Sequence, residues 1–170
     1  MIETRVFTAD AIPADLQPVL SAWEVECFPP NEYRWTPGTW RVIAYDDGVP
    51  VSHVGINYRE CLLDGQPVKF TGISSVMTPE KYRRRGYAGA ALDRAHTFMR
   101  AEVDAQFGQL VTRTELIAYY ARWGWQHVTD PLVFLMPDGS PGTWHDVWMI
   151  WPVQGADWPG GTLDMCGYPW

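Results

Sequence analysis

The chain has 170 residues, 46% of them hydrophobic, and carries 20 acidic against 13 basic side chains for a net charge of −7. That length predicts a single domain with enough apolar residues to bury a core. The acidic balance argues against general nucleic-acid binding and favours a cationic ligand. No apolar run is long enough to span a membrane, and no signal-peptide pattern opens the sequence, so we expect a cytoplasmic protein with no membrane partner.

The three cysteines, Cys27, Cys61 and Cys166, are odd in number, widely spaced and in no ligand pattern. Such usage fits reduced thiols in a cytoplasm, and packing is the expected role of these side chains. The four histidines form no metal-like cluster, so we expect no metal site.

The first half of the chain reads mainly as strands. "ETRVFTA" predicts a first strand, and Asp10 is placed to cap a helix that runs to about Cys27, where "FPPN" stops it. Asp47-Gly48 and Asp64-Gly65 are hairpin turn signals, and they divide the next segment into three strands.

In the second half, helices alternate with strands. Apolar positions recur at helical spacing from Gly86 to about Asp104, with Phe107-Gly108 expected to end the helix. "GQLVTRT" predicts a short strand, and "ELIAYYARWGW" a short helix that stops at Gly124. "WQHVT", "VFLMP" and "HDVWMIWPV" predict further strands.

This order of elements predicts a mixed α/β sheet in one domain over residues 1–170. We place its core in residues 1–152. The tail, residues 153–170, is rich in glycine and proline, and we expect it to be irregular.

The segment "KYRRRGYAGAAL" is a basic cluster in an acidic chain, with Lys81, Arg83, Arg84 and Arg85 inside five positions. It lies between a predicted strand and a predicted helix. A helix start exposes unpaired N–H groups and a positive dipole end, small residues let a phosphate approach, and arginines supply bidentate donors. The pattern favours a phosphate-binding site over a solvated basic loop, although it matches neither the nucleotide-hydrolase loop nor the dinucleotide fingerprint.

Two blocks in this region resemble the GNAT acetyltransferases. The run from Arg83 to Ala88 fits the R/Q-x-x-G-x-G/A signature of that family, and "IAYYARWGWQHV" is similar to its later aromatic-rich helix. The resemblance covers roughly residues 40–152. It implies the GNAT fold, an α/β (α+β) architecture with a mixed, mostly antiparallel sheet flanked by helices, and it implies acetyl-coenzyme A as co-substrate.

The resemblance also assigns coenzyme contacts and part of the chemistry. The coenzyme-binding residues it implies are Arg83, Arg84, Arg85, Gly86, Tyr87, Ala88 and Gly89, which would hold the pyrophosphate. The amine would attack directly, without an acyl-enzyme, and backbone N–H groups near Val76 and Met77 would stabilise the oxyanion. Tyr120 is the expected general acid, with Tyr119 as its competitor, because adjacent helical residues point about 100° apart and only one can face the site.

A narrower resemblance concerns the acceptor. The segment from "YARWGW" to "WMIWPV" and the ending "LDMCGYPW" are similar to the aminoglycoside 2′-N-acetyltransferases, which implies a polycationic aminocyclitol sugar as substrate. The acidic net charge agrees with a cationic amine. Other acceptors remain open, namely a protein amine, a polyamine or another small amine, and so does a non-catalytic coenzyme A-binding protein. Enzymes of the family often dimerise, so a homodimer is a further expectation.

The general base is not identified by its sequence position. Related aminoglycoside enzymes carry an acidic residue on the central strand, where this chain has Ser74 and Ser75, which we take as substrate-binding candidates. Asp146 and the carboxylate of Trp170 are candidates for the base or for substrate binding, and Glu32 for binding substrate amines. His53 and His145 could serve as bases by their ordinary pKa. Trp170, restrained by Pro169, is expected to dock the tail through its ring.

Overall fold

The computed structural model describes all 170 residues, in ten strands and three helices. In chain order these are β1 Ile2–Thr8, α1 Leu16–Cys27, β2 Trp40–Asp46, β3 Val49–Leu63, β4 Gln66–Met77, α2 Tyr87–Glu102, β5 Phe107–Thr112, α3 Ile117–Ala121, β6 Gln126–Val128, β7 Leu132–Leu135, β8 Pro141–Thr143, β9 Val147–Pro152 and β10 Leu163–Asp164. None of the helices has the length and apolar character needed to cross a membrane.

All ten strands belong to one mixed sheet. Its main path runs β6-β9-β5-β4-β3-β10-β7-β8, with β2 pairing β3 and β1 pairing β2 beside it. Seven of the nine strand pairings are antiparallel, and the parallel ones are β4 with β5 and β7 with β10. The expected mixed, mostly antiparallel sheet flanked by helices is confirmed.

Side-chain alternation along β2 shows how the sheet separates two faces. Val42 and Ala44 join the apolar cluster under α2 and α3, whereas Ile43 and Tyr45 join the cluster under α1. Successive strand residues point to opposite faces, so a run of four buried residues is packed on both sides. A third cluster, under the C-terminal tail, contains the buried ring of Trp170.

The hairpin turns predicted at Asp47-Gly48 and Asp64-Gly65 are confirmed. Asp47 and Asp64 have φ of 48°, and Gly48 and Gly65 have φ of 79°, so both turns use the left-handed residues that a two-residue hairpin requires.

The predicted start of α1 was wrong. Asp10 lies in a short 3-10 turn and accepts a hydrogen bond from the Thr8 hydroxyl at 2.6 Å, and the helix begins only at Leu16. Pro13 explains the shift, since a proline and the residue before it are disfavoured in a continuous helix. The predicted end at Cys27 is confirmed.

Two boundaries in the second half also differ from expectation. α2 ends at Glu102, and Phe107 begins β5 instead of ending the helix. The short strand β8 was not predicted from the sequence. The tail is not wholly irregular, because β10 pairs with β3 and β7 and so joins the tail to the sheet.

Candidate active site

The sheet opens at its centre, where β4 and β5 stop pairing. The two strands pair over three positions, of which Gly72 opposite Gln109 is the last. Beyond it β4 continues to Met77 and β5 to Thr112 without pairing each other. Backbone groups released from a ladder need other partners, so this cleft offers hydrogen bonds to a ligand. Val76 and Met77, the expected oxyanion donors, lie on the part of β4 that no longer pairs with β5, and that role stays a prediction.

A β-bulge at Ser75 shapes the wall of the cleft. Two steps along β3, from His53 to Gly55, correspond to three along β4, from Met77 to Ser74. β4 therefore carries one extra residue, and Ser75 adopts φ of +46° to accommodate it. Such bulges redirect the side chains and backbone groups that follow them.

A buried histidine holds this bulge in place. His53 Nδ1 lies 2.7 Å from the carbonyl oxygen of Ser75, and Arg41 Nη1 lies 3.4 Å from Nε2. Because the guanidinium can only donate, Nε2 accepts and Nδ1 carries the proton. Burial lowers the pKa of His53 to about 4. The ring is therefore neutral near pH 7, with both nitrogens engaged inside the chain, and it positions the bulge.

The basic segment leads into an open helix start. Gly86 precedes α2 with φ of +83°, and no side chain caps the helix. A Cβ placed at Gly86 or Gly89 would meet no atom within 4 Å. Arg84 and Arg85 are exposed and form no ion pair. The N–H groups of the first helical turn have no intrahelical acceptor, and the exposed guanidinium groups of Arg84 and Arg85 lie in the same segment.

Two side chains of this segment are fixed by neighbouring elements. Arg83 Nε donates to the carbonyl oxygen of Thr78 at 2.9 Å, and the Tyr87 hydroxyl donates to the Asp46 carboxylate. The hydrogen bond from Tyr87 lowers the pKa of Asp46. The donor set at the helix start, backbone N–H groups with guanidinium groups, fits the pyrophosphate of coenzyme A.

The adjacent tyrosines of α3 lie in different surroundings. Tyr120 is buried in the cluster that also contains Ile73 and Leu110, the first residues of β4 and β5 beyond their pairing. Burial raises its pKa far above 10, and its hydroxyl has no hydrogen bond in the chain. Tyr119 is half-buried, with the guanidinium of Arg122 at 4.4 Å from its ring centroid. The Tyr120 hydroxyl is free to form a hydrogen bond with a ligand, while the raised pKa makes it a weaker acid, so its role as general acid stays a prediction.

A cavity of about 430 Å³ lies at the mouth of the cleft. It takes Ile73, Ser74 and Ser75 from the unpaired part of β4 and Val111 from the unpaired part of β5. The other lining residues come from distant segments: Glu24, Val25, Phe28, Pro29, Pro30, Asn31, Tyr33, Trp35, Thr36 and Trp170. Its volume is in the range of small-molecule sites.

The loop between α1 and β2 forms the outer wall of the cavity. Asn31 Oδ1 accepts hydrogen bonds from the Tyr33 N–H at 3.0 Å and from the Trp35 indole at 2.9 Å. The rings of Tyr33 and Trp35 pack against Trp144, with centroids 5.3 Å and 6.1 Å away. An Asx turn and an aromatic cluster therefore fix a loop that would otherwise be mobile.

A buried asparagine ties this loop to the central strands. Asn57 Nδ2 donates to the carbonyl oxygens of Thr36 at 3.3 Å and Pro37 at 3.0 Å, while its Oδ1 accepts from the Ser74 hydroxyl at 2.6 Å. The Thr36 N–H in turn donates to the carbonyl oxygen of Pro169 at 2.7 Å. Loop, β4 and tail are thus one connected network, which holds the cavity in shape.

The tail docks through Trp170, as expected from the sequence. Its ring is 2% exposed, and its indole N–H donates to the Gln109 carbonyl oxygen at 3.3 Å. The ring lies on Gly72, where an added Cβ would come within 1.9 Å of the indole nitrogen. The Arg59 guanidinium lies 5.0 Å from the ring centroid and donates to the Tyr168 carbonyl oxygen at 2.9 Å.

The side chain of Gln109 is fully buried, and neither its oxygen nor its nitrogen has a hydrogen-bond partner. By strand alternation it shares a face with Phe107 and Val111, the face of the tail cluster. A buried unpaired carboxamide costs about 1–3 kcal/mol. The buried carboxamide of Gln109, next to Trp170, therefore makes the fold less stable than an apolar side chain of similar size would.

The structure brings together some of the predicted acceptor residues. Ser74, Ser75 and Trp170 line the cavity. Glu32 is exposed on the wall loop but does not line it, and the Asp146 carboxylate accepts a hydrogen bond from the next N–H at 2.7 Å, also outside the lining. Their roles, like that of the Trp170 carboxylate, stay predictions.

Sequence reasoning missed Glu24, Phe28 and Trp35 as cavity residues and Asn57 as their support. Nothing near Glu24 distinguishes it from other helix carboxylates. The run "FPPNEYRW" did contain a signal, since three aromatic residues in a loop with no apolar periodicity need an explanation other than a helix or strand face.

Comparisons with known proteins agree with this architecture. A model of the acetyltransferase (GNAT) domain matches residues 21–128. That span is more than half of the chain, and the chain therefore belongs to the GNAT acetyltransferase family. A search of curated proteins finds no sequence match.

Solved structures show the same fold at low identity. ElaA of Escherichia coli is 16% identical with a TM-score of 0.64, over 88% of this chain and 99% of that one. YhbS of Escherichia coli, a GNAT family N-acetyltransferase solved with CoA, is 19% identical with a TM-score of 0.64, over 97% and 89%. A GNAT family acetyltransferase of Brucella melitensis, solved with acetyl-CoA, is 13% identical with a TM-score of 0.57, over 96% and 94%. Acetyl-coenzyme A as co-substrate fits the family and the open helix start of α2.

Proposed function

We propose that the chain transfers the acetyl group of acetyl-coenzyme A directly to a cationic primary amine bound in the 430 Å³ cavity. One observation carries this proposal. The unpaired segment of β4 contributes Ser74 and Ser75 to the cavity and then leads, within ten residues, to the open helix start at Gly86. A donor held at the helix and an acceptor held in the cavity would meet along the same strand.

The chain's own groups supply what acyl transfer requires. Acetyl-coenzyme A brings the thioester and, after attack, a thiolate leaving group. Backbone N–H groups of Val76 and Met77 would donate to the oxygen that becomes negative as the amine attacks. The Tyr120 hydroxyl, kept protonated by burial, would give its proton to the departing sulfur. The amine must lose a proton before or during attack, through water or a carboxylate at the cavity.

The acceptor indicated by the sequence is the 2′-amino group of an aminoglycoside. The net charge of −7 and the docked tail that contributes Trp170 to the cavity support this candidate. Other small amines are equally compatible with the chemistry, and the lining of the cavity bears on the choice between them.

The deciding experiment is an acetylation assay with the purified chain, acetyl-coenzyme A and a panel of amines, following coenzyme A release and acetylated product. Amine-dependent release with matching product is expected. If coenzyme A binds but no amine is acetylated, the chain is a non-catalytic coenzyme-binding protein and the proposal fails. Resistance conferred on a sensitive bacterial host would test the aminoglycoside candidate separately.

A further inference from the structure

The cavity gathers apolar side chains that stay partly exposed, although one of them, Trp35, also packs on Trp144. Val25, Phe28 and Trp35 are 83%, 40% and 38% exposed, line the cavity, and belong to none of the three core clusters. Exposed apolar side chains grouped around a concave site indicate contact with an apolar part of a ligand.

The same cavity has a single charged side chain. Glu24 lines it and also lines an adjoining cavity of about 150 Å³, and its carboxylate forms no ion pair in the chain. A free carboxylate beside aromatic faces suits one ammonium group, through a charge-assisted hydrogen bond and cation–π contact.

Two acidic residues outside the cavity, Asp130 and Asp64, hold the C-terminal tail. Asp130 accepts hydrogen bonds from the Gly161 N–H and the Trp158 indole, and Asp64 accepts from the Thr162 N–H, so both hold the tail. Besides the terminal carboxylate of Trp170, a polycation in the cavity would find only the Glu24 carboxylate for its several ammonium groups. Each ammonium that loses water without gaining a partner costs free energy.

We propose that the acceptor is a small monoamine with an apolar, ring-sized body, whose ammonium group binds Glu24 while its body contacts Phe28 and Trp35. This inference rests on the proposed acetyl transfer and narrows its acceptor. The apolar body and the ammonium group of the acceptor then contribute separately to its binding.

Four acceptors compare these contributions: phenethylamine, ethylamine, spermidine and kanamycin. We expect kcat/KM for phenethylamine to exceed that for ethylamine by about tenfold or more, because the ring leaves water. We also expect it to exceed the values for both polycations. A higher kcat/KM for spermidine or kanamycin would overturn this inference and leave acetyl transfer standing. Coenzyme A binding without acetylation of any amine would overturn both.

Two variants test the two contacts. Phe28→Ala should raise KM for phenethylamine about fivefold or more and leave that for ethylamine nearly unchanged. Glu24→Gln should raise KM for both monoamines about tenfold. In both variants the affinity for coenzyme A should be unchanged, which also reports an intact fold.

Glu102→Gln is the matched control, since Glu102 is an exposed glutamate at the end of α2 as Glu24 is near the end of α1. It should leave both KM values unchanged. A Glu24→Gln protein that binds coenzyme A normally and keeps the wild-type KM would remove the ammonium site. An equal rise in KM for ring and no-ring amines in Phe28→Ala would remove the apolar contact.

Discussion

The predicted coenzyme site is one continuous stretch, residues 78–89, that runs from the end of β4 into the first turn of α2, whereas the cavity takes residues as far apart as Glu24 and Trp170. At the helix start, the proposed coenzyme binding would use backbone N–H groups and the open space at Gly86 and Gly89. At the cavity, it depends on side chains brought together by the whole fold. A site built from one stretch of chain keeps its geometry when other parts of the fold change. A site built from distant residues changes whenever a residue that holds one of them in place is substituted.

The supports of the two ends differ as well. The helix start forms no ion pair through its arginines and has few side-chain hydrogen bonds. The cavity is held in shape by the hydrogen bonds of Asn57, by the hydrogen bond between His53 and the Ser75 carbonyl, and by the buried ring of Trp170. Substitutions at the first end should therefore change ligand binding with little effect on stability, and those at the second end should change both.

The largest expected effect concerns Tyr120, the proposed proton donor. Tyr120→Phe keeps the packing and removes the hydroxyl, so turnover should fall about 10²–10⁴-fold while coenzyme A affinity is unchanged. Steady-state kinetics with calorimetric titration of coenzyme A measures both. Tyr119→Phe is the control, and a larger loss there would reverse the assignment of the two tyrosines.

A pH titration of stability probes two buried histidines, one in the support of the cavity and one in the core beside α2. Burial lowers the pKa of His53, under the bulge, and of His96, in α2, from 6.5 to about 4. In the unfolded chain both protonate as the pH falls through about 6.5, but in the folded chain only near 4. The unfolded state therefore gains protons first, and the free energy of unfolding should decrease from about pH 6.5 to 4, by up to about 3 kcal/mol for each histidine.

Urea unfolding across that window gives the slope. His127→Gln is the control, because His127 is exposed on β6 and should leave the profile as it is. A free energy of unfolding that stays flat between pH about 7 and about 4 would mean that the two rings are not held neutral.

Gly86→Asp should weaken coenzyme A binding about tenfold to a hundredfold, since it places a carboxylate where phosphate is expected. Gly139→Asp is a close match, with φ of 84° against 83° and open space around its Cβ position. It should leave the affinity unchanged. Calorimetry that finds equal affinities in the two folded variants would remove the helix start as the coenzyme site.

The smallest expected effect tests the cost of Gln109. Gln109→Met fills a similar volume without unpaired polar atoms, and we expect the free energy of unfolding to rise by about 1 kcal/mol. Gln106→Met, which removes an acceptor for the Lys69 N–H, should be neutral or destabilising. A less stable Gln109→Met protein would show that the carboxamide has a partner such as a bound water.

The sequence predicted features that depend on neighbouring residues, and it did not predict the cavity, which is assembled from distant ones. The hairpins at Asp47-Gly48 and Asp64-Gly65, the helix after Gly86 and the family signature depend on neighbouring residues, and all were correct. The predicted start of α1 was wrong because Asp10 has the side chain of a helix cap, whereas Pro13 disfavours a continuous helix from that point. Glu24, Phe28 and Trp35 could not be assigned to a cavity, because their proximity to Ser74 and Trp170 depends on long-range contacts that no spacing encodes.

The close fit of Trp170 on Gly72 makes these two positions dependent on each other. A methyl group at position 72 would overlap the indole nitrogen at 1.9 Å and the Gln109 carbonyl oxygen at 2.7 Å, so the first overlap could be relieved by a smaller residue at 170 and the second could not. Changes at the two sites should therefore be non-additive, with a double substitution less harmful than the sum of its parts. Among related sequences, an aromatic residue at the tail position should be found together with glycine at the last paired position of β4.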